Sequence, residues 1–499
     1  MSEDDGSWQS LHRDTLKVTA IVVAGVAVGA GVPTAVGIGS ATSDGVALAW
    51  VLPGMLLLVA GAVLLDYLRW RHTRYRVTDH LMELRKGVVM TTRRSLARER
   101  IRTVDLSANP VLRVFGLVKV NIGTGDGRSG GGSSPTEQTI VLDPVGRAAG
   151  ERLRADLLDR ARRADDPDGS TLATWDPFWI RYAPLSFWTF ALAAFAVGAM
   201  FQVLDWFGRG GLPVEVVMDI AEDIGAWSTL GLALGVFVTA GVVGTLAVYV
   251  EGWWNYRLER EPGGTLRVRR GLLTTRSVSL EEQRIRGVQI VEPLGVRSAG
   301  AARVDVVTTG LKNDPTSDLS TLLPAAPRPL AARITAQVAG VDAEPSLRPH
   351  PRSARVRRLR WAVVADIVLV AIVVLLAAAT PLPGFWVAVF SIVAALTCAG
   401  AVAAAVDAYR ALGHRLDAHY LVARQGSVRR ATVFLQRQGI IGWRISQSVF
   451  QRRAGLITVT ATTAAGARRY SIIDADEHEI LDVAAEAVPD LLDPFLIRD

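Results

Sequence analysis

Residues 87–104, GVVMTTRRSLARERIRTV, are matched by residues 271–288, GLLTTRSVSLEEQRIRGV, and again by residues 426–443, GSVRRATVFLQRQGIIGW. Counting from Gly87, Gly271 and Gly426, a leucine follows nine residues on (Leu96, Leu280, Leu435) and an isoleucine fourteen on (Ile101, Ile285, Ile440). A second glycine comes twenty-nine on (Gly116, Gly300, Gly455) and a valine thirty-three on (Val120, Val304, Val459). Ungapped coincidence at five positions is not expected of unrelated segments, so the chain reads as one unit, tripled. Each copy follows a pair of hydrophobic stretches, and the unit is therefore one membrane hairpin plus one soluble module.

Composition agrees. Of 499 residues, 50% are hydrophobic and yet 21% are charged, a mixture that a wholly membrane-buried chain does not carry, so the charge must be segregated from the apolar stretches. Runs of the roughly 20 apolar residues that a bilayer requires extend from Leu16 to Ile38, Val46 to Leu65, Ala183 to Leu204, Trp227 to Val250, Trp361 to Ala379 and Phe385 to Val406. Asp366, the one interior acid, stands near the Trp361 end and is expected at the interface. Met1 to Asp14 is mixed polar with no small-residue cleavage site, so the first span is expected to be retained rather than removed as a signal peptide. Cys398 is the single cysteine, which leaves no disulfide framework and no cysteine metal site.

Arginine placement orients the spans. Arg69, Arg71, Arg74 and Arg76 follow the second, Arg257 and Arg260 the fourth, and Arg410 and Arg415 the sixth, while Arg355, Arg357, Arg358 and Arg360 precede the fifth. The loop between the third and fourth instead sets Asp205, Glu215, Asp219, Glu222 and Asp223 against Arg209. By the positive-inside rule both termini and all three modules are expected in the cytoplasm, with Trp70, Trp188, Trp206, Trp227, Trp253, Trp254, Trp361 and Trp386 marking the interfaces. The expected map is an N-terminal tail 1–15, hairpin 16–68, module 69–164, linker 165–182, hairpin 183–251, module 252–341, linker 342–357, hairpin 358–408 and module 409–499.

Each module reads as β followed by α. Tyr75-Arg76-Val77, Tyr256-Arg257-Leu258 and His414-Arg415-Leu416 open the three copies, and the repeated glycine turns the chain into the next short run. After the second glycine, the alternating runs Leu117 to Ile122, Arg303 to Thr308 and Leu456 to Thr462 predict strands with one buried face. A further strand and an amphipathic helix close each copy; Leu153, Leu157, Leu158 and Ala161 form the apolar stripe in the first, and Ile480, Val483, Ala484, Ala487 and Leu491 in the third. The expected fold class is six membrane helices in three hairpins plus α+β: three antiparallel β-barrel or sandwich modules of pleckstrin-homology type, each capped by a C-terminal helix.

Two spans followed by Tyr-Arg-Val, a Gly-Val-Val or Gly-Leu-Leu turn, and then Arg98-Glu99-Arg100-Ile101-Arg102-Thr103-Val104 resemble the bacterial pleckstrin-homology-like membrane proteins of the YdbS/YdbT type, in its three-module form. Leu280-Glu281-Glu282-Gln283-Arg284-Ile285-Arg286-Gly287-Val288 repeats the motif; Gln436-Arg437-Gln438-Gly439-Ile440-Ile441 lacks the arginine before the isoleucine. The resemblance implies a multi-pass membrane protein with a binding or scaffolding role and no enzymatic activity, with a pointer to envelope stress or bacteriocin resistance.

Arg98, Arg100 and Arg102 alternate in a run read as strand, so they share a face, and with Arg113 they form a candidate cationic stripe. Arg284, Arg286 and Arg297 repeat it in the second module. Beside an anionic leaflet each basic residue gains about 1 kcal/mol; as solvated or paired structural charges they contribute about 0 to 1 kcal/mol. With a net charge of +7, the expected partners are the phospholipid bilayer, its anionic headgroups, and other membrane proteins or a second copy of the chain, with no nucleic acid.

No cofactor and no metal is expected. The seven histidines are scattered; His414 and His419 lie five apart on opposite faces and read as structural. Asp474, Asp476, Glu477 and Glu479 read as capping acids of the last helix. Gly123, Gly125, Gly127 and Gly130 to Gly132 lack a following Gly-Lys-Ser/Thr and read as a hairpin tip. Asp66, Glu251 and Asp407 stand at the exits of the even-numbered spans, where pairing with a nearby arginine is expected. Arg163 to Asp176 and Asp342 to Arg355 read as linkers. With no nucleophile–base pair in view, the function expected is a non-enzymatic scaffold or lipid- and protein-binding platform. The alternative is a transporter or channel built from the six helices, which would need polar groups near mid-bilayer and broken helices; the span interiors are Ala, Val, Leu and Gly, with Thr239 and Thr397 the main polar exceptions.

Overall fold

A computed structural model of the chain describes residues 8–41, 43–78, 80–87, 91–97, 101, 103–123, 139–158, 170–309, 318–380, 383–489 and 491. The fold divides into two compact units, Met1–Gln283 and Arg284–Asp499. The division falls inside the second sequence repeat and not at a linker.

The first unit runs β1 (Gln9–Ser10), α1 (Thr15–Ala41), α2 (Asp44–Arg71), β2 (Arg74–Val77), β3 (Leu81–Lys86), β4 (Thr92–Ala97), β5 (Thr103–Ala108), α3 (Pro110–Val114), β6 (Leu117–Gly123), β7 (Thr139–Gly146), α4 (Arg147–Leu158), β8 (Ser170–Thr174), α5 (Trp188–Trp206), α6 (Leu212–Ile224), α7 (Ala226–Trp253), β9 (Arg257–Glu261), β10 (Thr265–Arg270) and β11 (Thr275–Glu281). Its first sheet has the order β1-β2-β3-β4; its second has seven antiparallel strands, β7-β6-β5-β11-β10-β9-β8. The first repeat packs its own two sheets face to face: Tyr75, Met82 and Leu84 meet Val104, Leu106, Val120 and Ile122, and Leu157 of α4 closes the layer. The period-two alternation of β5 and β6 puts these side chains on one face. Sheet edges, however, are shared between repeats. β5 pairs with β11 of the second repeat in an antiparallel register from Thr103↔Leu280 to Ala108↔Thr275.

The second unit runs β12 (Ile285–Pro293), α8 (Leu294–Ser298), β13 (Ala301–Thr308), β14 (Thr321–Pro327), α9 (Arg328–Ala339), α10 (Arg352–Ala379), α11 (Gly384–Arg410), β15 (Gly413–Leu416), β16 (Tyr420–Gln425), β17 (Arg429–Gln436), β18 (Ile440–Ser446), α12 (Val449–Arg452), β19 (Leu456–Thr463), β20 (Arg469–Asp476) and α13 (Glu477–Ala487). Its sheets are β14-β13-β12-β17-β16-β15 and β18-β19-β20. Here β12 of the second repeat pairs with β17 of the third, from Gly287↔Leu435 to Pro293↔Arg429. Leu421, Val433 and Leu435 pack against Val459, Ile472, Ile480 and Ala484 to form the core of the third repeat.

Six helices, α1, α2, α5, α7, α10 and α11, are long and apolar enough to cross a membrane, and no more than 17% of the most apolar window of any is buried. Side chains so apolar and so exposed need hydrocarbon around them. Within the α5–α7 pair, Gly241 lets the helices touch: a Cβ there would stand 2.3 Å from the Thr189 carbonyl oxygen. Thr245 donates to Thr189 Oγ1 at 3.1 Å across the same contact, the small-residue packing that lipid favours.

The repeated glycines are required by backbone geometry. Gly116, Gly300 and Gly455 hold φ of 64°, 70° and 61°, and Gly87, Gly271 and Gly426 hold 146°, 111° and 97°, values that disfavour a side chain. At Gly271 a Cβ would also fall 1.9 Å from the Thr274 carbonyl oxygen. Gly271→Ala is therefore expected to destabilise the first unit by about 2 kcal/mol, read as a lowered melting temperature of the detergent-solubilised protein; an unchanged melting temperature would mean that the turn relaxes freely.

Several local expectations are corrected. The N-terminal tail is not outside the module: Gln9 and Ser10 pair with Tyr75 and Arg74, Arg76 lies over the Trp8 ring, and Leu11 is in the core. That pairing also places the segment before α1 on the same side of the hairpin as the first module. The first linker ends in a strand, β8, because Ser170–Thr174 pairs with β9. The third span starts at Trp188, after a 3-10 stretch Pro177–Leu185 that carries Pro184. The acidic loop between the third and fourth spans holds α6, whose charges share it with Val214, Val217, Met218 and Ile224, all exposed. Helix α10 begins at Arg352, ahead of the apolar run, so the arginine cluster is its first turns.

A buried polar cluster lies in the second unit. Asp474, fully buried, takes Arg357 at 2.7 Å and Arg358 at 3.4 Å and Gln451 at 2.9 Å. Its backbone oxygen accepts from His350 Nδ1 at 3.1 Å, and His350 Nε2 stands 3.2 Å from His414 Nδ1. Asp476, two residues on, caps α13 by accepting from the His478 and Glu479 amides, as expected of that acidic run. Asp474 does something else.

Candidate anion-binding pocket

In the first unit a groove of about 370 Å³ lies along the β5–β11 junction. Sheet pairing brings β10 and β11 of the second repeat beside β5, α3 and α4 of the first, and the side chains that converge are mostly basic. Arg113, Arg147, Arg257, Arg269, Arg270 and Arg276 line it, with Glu151 as the one carboxylate.

That carboxylate is already committed. Glu151 binds Arg267 at 3.0 Å and Arg154 at 3.4 Å, with Arg269 at 3.7 Å. Glu261 completes the network: it takes Arg154 at 2.9 Å and Arg267 at 3.0 Å. Arg154 also donates to Ser279 Oγ at 2.9 Å, and Arg267 to Ser277 Oγ at 2.9 Å. Burial pushes the Glu261 carboxyl up, but Arg154 and Arg267 outweigh it and hold it below the usual carboxylate range. These are the groove's foundations rather than its free charges.

Arg147, Arg257 and Arg276 are exposed and, among the described residues, none is ion-paired. Arg270 is buried and lies 4.1 Å above the Trp253 ring, a contact that stabilises a guanidinium. Burial first and then the neighbouring Arg267 make the Arg269 guanidinium less willing to stay protonated; a bound anion would relieve both. Asp105 on β5, half-buried, is raised by burial despite Asn121, Arg276 and Arg270. One wall touches the end of a membrane helix. The Gly271 amide donates to Trp254 O, and the Leu272 amide to Glu251 O, each at 2.9 Å; Glu251 at the exit of α7 accepts the Leu273 and Thr274 amides at 2.8 Å each. Arg113 donates to the Leu272 carbonyl on that same turn.

Of the arginines expected to form stripes, Arg98, Arg100 and Arg102 lie outside the described residues, as does the glycine-rich segment after Gly123. Arg113 is in the groove. The second stripe is not a strand face: Arg284 closes a 3-10 turn, Glu282–Arg284, and Arg286 lays its stem against Gly439, where a Cβ would stand 3.2 Å from its own. Arg297 is paired with Asp407 at 2.9 Å, which also takes Arg430 at 2.9 Å. The pairing expected of the exit acids thus holds for Asp407, whereas Glu251 takes backbone amides and Asp66 accepts from Thr19 at 2.7 Å. Arg147, Arg257, Arg269, Arg270 and Arg276 escaped sequence reading because they converge only once strands from two repeats share a sheet. Among the described residues no group of three His, Cys, Asp or Glu side chains is placed to hold a metal.

The family profile described as Bacterial PH domain matches three times, over residues 19–161, 185–342 and 364–490. The UPF0699 transmembrane protein YdbT of Bacillus subtilis (strain 168) is 30% identical over 117 residues, 23% of this chain and 22% of that protein. The matched segment thus spans about a fifth of that relative. No solved structure matches.

Proposed function

The chain belongs to the bacterial PH domain family as a multi-pass membrane protein with three copies of the domain, and from that premise we propose that it is a non-enzymatic platform whose modules lie on the cytoplasmic side and bind an anionic headgroup at the membrane surface. The groove carries this reading: of its six arginines, Arg147, Arg257 and Arg276 are exposed and not ion-paired among the described residues, its one carboxylate is already held by Arg154 and Arg267, and its wall is the turn that caps the fourth span. The ligand class is a phosphate-bearing lipid headgroup, since guanidinium forks match phosphate oxygens bidentately. The modules' proximity to anionic lipid then keeps the platform flat on the leaflet, where it can also gather other membrane proteins. A link to envelope stress or bacteriocin resistance belongs to the same proposal.

The test is binding of phosphatidylglycerol to the full-length protein in detergent, followed by native mass spectrometry. With about 1 kcal/mol per basic residue, replacing Arg257, Arg269 and Arg276 together by Gln is expected to weaken binding at least tenfold relative to phosphatidylcholine. Equal binding by the triple variant would overturn the assignment. A transport reading would call for interrupted helices at its site, whereas α10 and α11 run unbroken.

A further inference from the structure

The three repeats are joined by one edge-to-edge contact used twice. At the first junction Thr103 lies opposite Leu280; at the second Gly287 lies opposite Leu435. Counted from the leading glycine of each repeat, both junctions place the sixteenth residue of one repeat opposite the ninth of the next. The register is a property of the repeat itself. A latch accompanies it. Arg113 and Arg297, each twenty-six residues beyond its leading glycine, reach into the following repeat: Arg113 to the Leu272 carbonyl on the turn held by Glu251, and Arg297 to Asp407 at 2.9 Å.

A three-repeat chain leaves one half of this contact open at each end. β4, the counterpart of β11 and β17, is the last strand of its sheet, and β18, the counterpart of β5 and β12, is the first of its own; among the described residues neither outer edge is paired. Burial follows the pairing. Ser279 in β11 and Phe434 in β17, the counterparts of Ser95, are buried, as are Val288 and Ile290 in β12. At the open ends Ser95 in β4 is exposed, and Ile445 in β18, the counterpart of Ile290, is 43% exposed. The latch is open too. Among the described residues, Arg452, the third arginine of the series, is exposed with no side-chain partner, and Asp66, the first exit acid, has the Thr19 hydroxyl and no basic partner.

We propose that the occupant of these edges is a second copy of this chain: β18 of one copy pairs antiparallel with β4 of the next, Arg452 of the first turning toward Asp66 of the second. The internal register predicts Gly442 opposite Leu96, Trp443 opposite Ser95, Ile445 opposite Arg93 and Ser446 opposite Thr92. It also sets Arg444 opposite Arg94, a like-charge pair that makes this contact weaker than the two internal ones. The interface is heterologous, so copies add head to tail in the membrane as a ring or an open row. Unpaired strand edges are otherwise templates for indiscriminate pairing, and a register shared with two internal junctions makes this pairing specific.

Two differently tagged copies, both carrying Cys398→Ser, test it in native membranes: one bears Thr92→Cys, the other Ser446→Cys. Opposed residues of an antiparallel pair bring their Cα atoms within disulfide range. A dimer carrying both tags is expected at least fivefold above the out-of-register combination of Thr92→Cys with Ile441→Cys, and a copy bearing both Thr92→Cys and Ser446→Cys is expected to give a ladder of multimers. Yields equal to the out-of-register control, or a doubly substituted copy linked only to itself, would overturn the proposal. Folding of the variants is checked by size-exclusion chromatography. Independently of cysteines, two tagged unsubstituted copies are expected to co-purify, with recovery falling at least fivefold for Ile445→Lys; failure to co-purify, or recovery indifferent to Ile445→Lys, overturns it as well.

Discussion

Glu261→Ala is expected to lower the stability of the first unit by about 3–5 kcal/mol, the cost of stranding buried cations. Its carboxylate is the shared partner of Arg154 and Arg267, whose side chains are 9% and 8% exposed. Without it the two guanidiniums keep Glu151 as their one remaining acid. Glu261→Gln should cost less, because the amide oxygen still accepts one of the hydrogen bonds. Since Arg154 rides on α4 of the first repeat and Glu261 on β9 of the second, the loss should appear as weakened docking of the repeats. Thermal unfolding followed by tryptophan fluorescence in detergent would show it as a lowered first transition; a change under 1 kcal/mol would mean that water replaces Glu261 at no cost.

Acidification is expected to destabilise the second unit by about 3 kcal/mol between pH 7 and pH 4. Burial, reinforced by His414, pushes His350 down to about 4 from its ordinary 6.5. The Asp474 backbone oxygen can only accept, so His350 Nδ1 carries the proton, and its Nε2 accepts from His414 Nδ1. No position on either ring is left for a proton except His414 Nε2, which faces Glu479 at 3.9 Å. The sign follows from linkage. Above pH 6.5 neither state binds the proton and the full stability is present; as pH falls toward 4 the unfolded chain takes up a proton that the folded one refuses, and about 1.4 kcal/mol is lost per pH unit before the loss levels off. His414, also lowered by burial, acts in the same direction. Arg348, Arg357, Arg358, Asp474 and Glu479 complete the charges around the pair. Unfolding midpoints at pH 7, 5.5 and 4, compared with those of His350→Gln, check this; a parallel pH dependence in the variant would remove His350 as its source.

Much of the architecture was legible from residues alone, because its signals are local. Apolar runs such as Val46 to Leu65 announce a span by length, and the leading glycines announce turns because φ of 111° at Gly271 or 97° at Gly426 excludes other residues. Of the stripe read for the closing helix, Ile480, Val483, Ala484 and Ala487 are buried in α13, whereas Leu491 lies beyond its end at Ala487 and is half-buried. What local pattern does not encode is which strand edges meet. Nothing in Thr103–Ala108 states that its neighbour is Thr275–Glu281, so the division of the chain within the second repeat and the convergence of Arg257, Arg269 and Arg276 on Arg113 were invisible. Arg297 read as part of a cationic stripe because its acid, Asp407, lies on a membrane helix far along the chain. The first linker was misjudged for the same reason: Ser170–Thr174 becomes a strand through its partner β9 and not through its own composition.

Sharing strands between repeats has a consequence for biogenesis. The outer rim of β5 stays bare until β11 emerges, about 170 residues later, and α5 and α7 must enter the bilayer in between. At ribosomal speeds of roughly 5–20 residues per second, that rim waits on the order of 10–30 s. During that interval the nascent first module is an adhesive intermediate, and correct insertion of the second hairpin is what delivers its missing neighbour. A delay at the translocon would therefore surface as misassembly of a soluble domain already made.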